Sequence, residues 1–286
     1  MYIVASLRET VPDPLYMRFA AAQKTQISKG PRNLPESPLY SRPTGYQTLT
    51  KAIKPESRIY RLLELCRLIR NAYCAQRNTT ENSPIAAASH GSRKDEIASL
   101  TIDIFALPRA SALTFDHPNE RYTYEAIRLT ALIFSQALSN NVSFSTAALQ
   151  LEVSGGYTSL GTGTLFTEAP VVEDCLMHIH IRNALIRTDT ADCWGHLAGV
   201  LFWIALVAGA AANPETGFWT EGYQERRVDD FGEEEEARKW LAAIVVRCSI
   251  VLGFEYGTSV LETVKTMMEI QMGLVQRDGS RTVGNG

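Results

Sequence analysis

Two Cys-x2-His pairs are the first residues in this chain whose types and spacing could do chemistry. Cys175 with His178 and Cys193 with His196, and His180 close by, could put soft and borderline ligands on successive helical turns and converge on zinc. Both pairs fall in strongly apolar helical stretches, however, where cysteine behaves as a small hydrophobe and a single histidine belongs to a core or its boundary. Gly155, Gly156, Gly161 and Gly163 lack both the Walker Lys-Ser/Thr ending and the dinucleotide spacing, so they read as a loop rather than a phosphate cradle. Neither a Gly-x-Ser-x-Gly elbow nor a His-Glu-x-x-His helix is present. Arg58, Arg61, Arg67, Arg70 and Arg77 could neutralise phosphates along one helix, although nothing beside them would read bases. A solvated helix face is the expectation for these arginines.

Asp229-Asp230-Phe231-Gly232-Glu233 resembles the aspartate-rich motif with which all-helical terpenoid synthases hold magnesium on a diphosphate. Carboxylates one helical turn apart are what that chemistry needs. Here Gly232 interrupts the motif, which lies far toward the C-terminus, and no downstream Asn, Ser and Glu set completes a metal cluster. A metal-dependent enzyme using Asp229, Asp230 and Glu233 is therefore the alternative reading, and a loop entering a capped helix the preferred one.

The elements around these residues are helical. Residues 1–57, with Pro12, Pro14, Pro31, Pro35, Pro38, Pro43 and Pro55 and Gly30 and Gly45, read as a mostly irregular leader with one short helix over 15–26. From Arg58 on, Ile59, Leu62, Cys66, Ile69 and Tyr73 recur at helical spacing, predicting an amphipathic helix that ends near Gln76. A polar break over 77–92 and a second helix over 94–107, stopped before Pro108, follow. Asn119 is the expected N-cap of a long helix with Tyr124, Ile127, Ala131, Phe134 and Leu138 on one face, its second half largely buried. Residues 154–167 read as a loop, and helices are expected over 170–186, 192–212, 233–252 and 259–273. The run Glu233–Glu236 would sit in a first turn, where exposed amides and the helix dipole favour carboxylates. The fold class is all-α: an irregular multi-helix bundle over 58–273, behind the leader and before a flexible tail at 274–286.

Composition narrows the class. Of the 286 residues, 45% are hydrophobic, enough for a substantial core. Five cysteines, Cys66, Cys74, Cys175, Cys193 and Cys248, are too few and too scattered for a disulfide scaffold, and reduced intracellular thiols are expected. Asn78-Thr79-Thr80 and Asn141-Val142-Ser143 match a glycosylation sequon, but Arg8 and Glu9 interrupt what would be the apolar run of an export signal. The 16 apolar residues at 197–212 fall short of the roughly 20 that cross a bilayer, so a buried helix is expected there. Residues 1–118 carry 16 Lys and Arg against 10 Asp and Glu, whereas 119–286 carry 12 against 21. Because the basic residues are dispersed, this asymmetry reads as ordinary surface rather than a polyanion-binding front.

Two stretches carry a family likeness, Tyr122-Thr-Tyr-Glu-Ala-Ile-Arg-Leu-Thr-Ala-Leu-Ile-Phe-Ser135 and the apolar run from Gly195 through Trp203 to Ala212. They resemble the fungal-specific transcription factor domain, the middle homology region of zinc binuclear cluster regulators. That family has a Tyr-Glu-x-x-Arg-Leu-x-x-Leu helix, then a Leu-x-Trp-x-x-x-x-Gly helix, then an Arg-x-Trp segment. The residues that match in order and approximate spacing are Tyr124, Glu125, Arg128, Leu129 and Leu132, then Leu201, Trp203 and Gly209, then Arg238 and Trp240. The likeness covers residues 58–272 and rests on packing signatures. It implies a regulatory domain that works in the nucleus through partners of the transcription machinery, through a homo- or heterodimer partner, or through a small effector. It also implies that Arg128 pairs with an acidic neighbour inside the bundle while Trp203 and Trp240 pack the core. The family's six-cysteine zinc cluster is missing, since Cys66 and Cys74 alone cannot build one, so direct DNA reading by that means is not expected. No membrane role, cofactor, or catalytic, cofactor-binding or metal residue is assigned.

Overall fold

Apolar side chains recurring every three or four residues dictate most of the structure. The computed structural model describes residues 35–42, 44–78, 84–153, 176–213 and 230–282, and among them are eight α-helices and no strand. In chain order these are α1 (Leu49–Ala52), α2 (Arg58–Asn78), α3 (Pro84–Phe105), α4 (Pro118–Asn140), α5 (Phe144–Val153), α6 (Met177–Ile186), α7 (Ala198–Ala211) and α8 (Asp230–Thr282). Two 3-10 turns, Ala110–Ala112 and Gly195–Leu197, join them. The fold is the expected all-α, irregular bundle.

The central helix is α4, which packs against α2, α3, α5, α6 and α7. Its expected face, Tyr124, Ile127, Ala131, Phe134 and Leu138, is buried, and neighbours on several sides extend that burial to Arg128, Thr130 and Ser135. The start differs from expectation: His117 is the N-cap and Pro118 the first helical residue, so Asn119 lies inside the first turn. Proline suits that position because its φ is already helical and its missing N–H would have had no partner there. At the other end Asn141 takes up the left-handed region (φ 52, ψ 49) and its N–H bonds the Ala137 carbonyl. Ser143 then caps α5, its Oγ accepting the Thr146 N–H at 3.1 Å.

Proline also begins α3, which starts at Pro84 rather than residue 94 and so takes in much of the expected polar break. On α2 the face Leu62, Cys66, Ile69 and Tyr73 is fully buried. Of the arginines of that helix, Arg58 and Arg61 are exposed as expected, whereas Arg67, Arg70 and Arg77 depart from a solvated face. Arg67 is buried and bonded to Glu64, Arg70 donates to the Leu39 carbonyl at 3.3 Å and to Ser41 Oγ at 2.8 Å, and Arg77 donates to the Glu269 carbonyl of α8. The long stems and planar forks of Arg70 and Arg77 reach across element boundaries to backbone carbonyls.

The apolar α7 is surrounded on all sides, as its lack of a polar face requires. Trp203 is fully buried and meets Phe134 edge to face at 5.9 Å, and Phe134 stacks on Phe144 at 6.1 Å. This helix begins at Ala198 and not at 192, because Cys193 (φ 47) and Trp194 (φ 61) turn the chain through the left-handed region first. Trp194 Nε1 donates to Thr188 Oγ1 at 3.0 Å, which holds that turn.

The stretch expected to be a leader up to residue 57 enters the core from residue 35 on, with Leu39, Tyr46, Leu49 and Ile53 in the main hydrophobic cluster. Its only described helix is α1, but Leu39 and Leu49 are buried, and the Tyr46 hydroxyl donates to the Leu63 carbonyl at 2.8 Å. Glu36, 2% exposed, gathers the amides ahead of and into α1. Its Oε1 accepts the Gln47 N–H at 2.8 Å, and its Oε2 accepts the N–H groups of Thr48 and Leu49, each at 2.8 Å, and the Thr48 hydroxyl at 3.0 Å. A carboxylate from outside the helix thus does the work of an N-cap. The short helix expected over 15–26 lies outside the described residues, as does the loop expected over 154–167.

The two expected C-terminal helices are both present, running on from one another as α8 across a kink at Tyr256 (φ −130, ψ 41). It begins at Asp230, one turn before the glutamate run, and continues to Thr282 through the expected flexible tail, with Leu274 fully buried as an anchor. The run is neutralised laterally: Glu236 and Glu233 face Arg182 of α6 at 2.8 and 3.7 Å, and Glu235 faces Lys239 at 3.1 Å. Val246, Ile250, Phe254, Leu261, Met268 and Met272 are each more than half exposed along this helix. By length and composition Gly232–Leu274 is the one helix among the described residues long and apolar enough to cross a membrane, and 22% of its apolar window is buried. By contrast α7, the apolar stretch conspicuous in the sequence, is core.

Candidate functional site, an arginine-lined pocket

Among the described residues, those that first suggested chemistry are not brought together. Cys175 and Asp229 lie outside the described residues, as do Gly155, Gly156, Gly161 and Gly163. His178 is buried on α6, while His196 is exposed on the Gly195–Leu197 turn. Cys193 faces Cys248 of α8 instead of a histidine; the hydrogen bond from Cys248 holds its thiol down to about 7 against the opposing effect of burial, and Cys248 is pushed up. Among the described residues no group of three His, Cys, Asp or Glu side chains is placed to hold a metal ion. Asp230 opens α8, and Glu233 is drawn to Arg182.

A different set converges. On α4, Arg121, Glu125 and Arg128 recur at i, i+4 and i+7, and His180 and Ala184 of α6 with Arg187 at its C-cap do the same, so each helix turns one stripe toward the other. The two stripes and the Ala110–Ala112 turn enclose a cavity of about 390 Å³. Among the described residues Arg109, Arg121, Arg128 and Arg187 line it with a single carboxylate, Glu125, while Leu129 and Ala184 supply apolar wall.

The carboxylate is fully engaged in structure. Arg128 grips it with two hydrogen bonds, Nε to Oε2 at 3.0 Å and Nη2 to Oε1 at 2.6 Å, and the Ala110 N–H reaches Oε2 at 3.0 Å. The adjacent Tyr124 hydroxyl donates to the Pro108 carbonyl at 2.6 Å, so consecutive α4 residues pin the 108–110 segment. Burial by itself would raise the Glu125 carboxyl, but the Arg128 hydrogen bonds and charge, the Ala110 amide and the Arg109 charge together hold it below the ordinary carboxylate value. A carboxylate depressed in this way contributes stability above the unfolded-state pKa that is lost as pH falls through the folded value. Glu125→Gln is therefore expected to flatten the part of the acid-unfolding curve that lies at and below the ordinary carboxylate range. Urea midpoints measured at closely spaced pH values for both proteins check this.

Arg187 and Arg121 are placed differently. Arg187 lies over the Tyr122 ring, 5.2 Å from its centroid, and donates to the Tyr122 hydroxyl at 3.3 Å, which leaves that hydroxyl's own proton to point elsewhere. Arg121 is exposed and makes no side-chain hydrogen bond or ion pair among the described residues. Compared with family models, with curated proteins and with solved structures, the chain matches none. The pocket's evidence is therefore its own geometry.

Reasoning from sequence found Glu125 and Arg128 but missed Arg109, Arg121, Tyr122 and Arg187 as members of one site. The available signal was the polar stripe at i, i+4 and i+7 on α4 together with a matching one on α6, inside helices otherwise judged by their apolar faces.

Proposed function

We propose that this chain is the helical regulatory domain of a fungal transcriptional regulator, acting in the nucleus through protein partners or a small effector and carrying no catalytic residue. The observation that supports this most is the ordered set of three packing segments, Tyr124-Glu125-x-x-Arg128-Leu129, Leu201-x-Trp203 through Gly209, and Arg238-x-Trp240. Each segment has a structural task suited to such a domain. Arg128 and Glu125 lock α4 to the preceding turn, Trp203 fills the centre of the bundle, and Trp240 packs against the core from α8. The exposed apolar residues Val246, Ile250 and Phe254, spaced at i, i+4 and i+8 on α8, are consistent with action through a protein partner.

The test is a tethered reporter. The full chain fused to an unrelated DNA-binding module is expected to change transcription from the matching promoter severalfold, and to recover a nuclear partner on crosslinking. Unchanged transcription together with no nuclear partner would sink the reading.

A further inference from the structure

We propose that the arginine-lined pocket between α4 and α6 binds a small, multiply charged organic anion through its carboxylate or phosphate oxygens. Four arginines line one cavity, and the only carboxylate among its described lining residues is consumed by Arg128 and the Ala110 amide. Like charges around a partly enclosed space of lowered dielectric repel one another, and a bound anion is the direct relief. The donors suit such a guest. Guanidinium forks match the paired oxygens of carboxylate and phosphate, and the Tyr122 hydroxyl, already accepting from Arg187, has a proton to give. Arg128 is held rigid and buried by Glu125, whereas Arg121 and Arg187 are exposed and able to close on an entering molecule.

Size decides between a small guest and a polymer. A cavity near 390 Å³ falls within the range of metabolite sites, with Leu129 and Ala184 available for a short carbon skeleton. A nucleic-acid backbone would require basic residues tracking along an open surface. The α2 arginines that could have formed such a track are largely spent internally, on Glu64, on Leu39 and Ser41, and on Glu269.

Titration calorimetry of the full chain at fixed ionic strength, with citrate in one arm and inorganic pyrophosphate in the other, tests the proposal. One anion per chain is expected to bind saturably in at least one arm and to raise the melting temperature by several degrees; the responding arm identifies carboxylate or phosphate as the preferred oxygen source. Arg121→Ala with Arg187→Ala should weaken that binding at least tenfold, and Arg187→Lys, which keeps the charge but loses the fork, should fall between. Should the double variant not fold, Asn183→Trp, which fills the cavity and keeps all four guanidiniums, is expected to abolish binding instead. Absence of saturable binding in both arms, or binding undiminished in the folded variants, would overturn the proposal. The inference gives the effector of the proposed function a chemistry and rests on that reading only for its consequence in transcription. Anion binding without any reporter response would remove the regulatory reading and leave the pocket, and a reporter response without anion binding would do the reverse.

Discussion

Glu36→Ala is expected to lower the unfolding free energy by about 3 kcal/mol, because the substitution strands several donors that a single buried carboxylate now satisfies. The N–H groups of Gln47, Thr48 and Leu49 and the Thr48 hydroxyl all converge on it, and the Leu49 bond is buried. Solvent can replace the carboxylate at Gln47, whose side is exposed, but not at Leu49, so the loss is less than the sum of the bonds. Glu36→Gln should cost roughly half as much: it retains one acceptor oxygen but aims an NH2 group at backbone N–H donors. Chemical unfolding followed by helical circular dichroism measures both, and a loss below about 1 kcal/mol for the alanine variant would refute the cap assigned to Glu36.

Gly199→Ala comes next, at about 2 to 3 kcal/mol. A Cβ at this position would lie 2.3 Å from the Pro35 carbonyl oxygen and 2.8 Å from that of Glu36. These are backbone atoms, so relief requires moving the 35–36 segment away from α7 as a whole. Elsewhere in a helix the same change would stabilise by up to about 1 kcal/mol, so the sign alone is diagnostic. Because both substitutions loosen one contact, the double variant should lose less than the two single losses combined. Additive losses would mean that Glu36 and Gly199 act independently.

Local periodicity made much of the fold legible. Ile59, Leu62, Cys66, Ile69 and Tyr73 announce α2, and Tyr124 through Leu138 announce α4, because which face a residue takes depends on its immediate neighbours. Contacts between distant parts of the chain left weaker traces. Glu36 is one acid in a proline-rich stretch, and nothing near it reveals that its partners lie 11 to 13 positions later or that Gly199 lies against its carbonyl. The Cys-x2-His spacing around Cys193 presumes a helix, whereas the left-handed turn at Cys193 and Trp194 directs the thiol to Cys248. The pocket shows the same division. Each stripe can be read on its own helix, but the site exists only once α4 and α6 are known to be neighbours.

The close approach of Gly199 to residues 35–36 also places events in time. During synthesis residues 35–53 emerge long before α7 exists, and Glu36 can gather the amides of 47–49 by closing a short loop. The wall against which this clasp rests, the Gly195–Leu197 turn and the start of α7, is made much later. Contacts of such wide sequence separation form slowly, so the nascent chain carries this clasp against α2 alone until most of the bundle has been translated. A ribosome stalled before α7 would hold a clasp that can close on α2 but lacks its second wall.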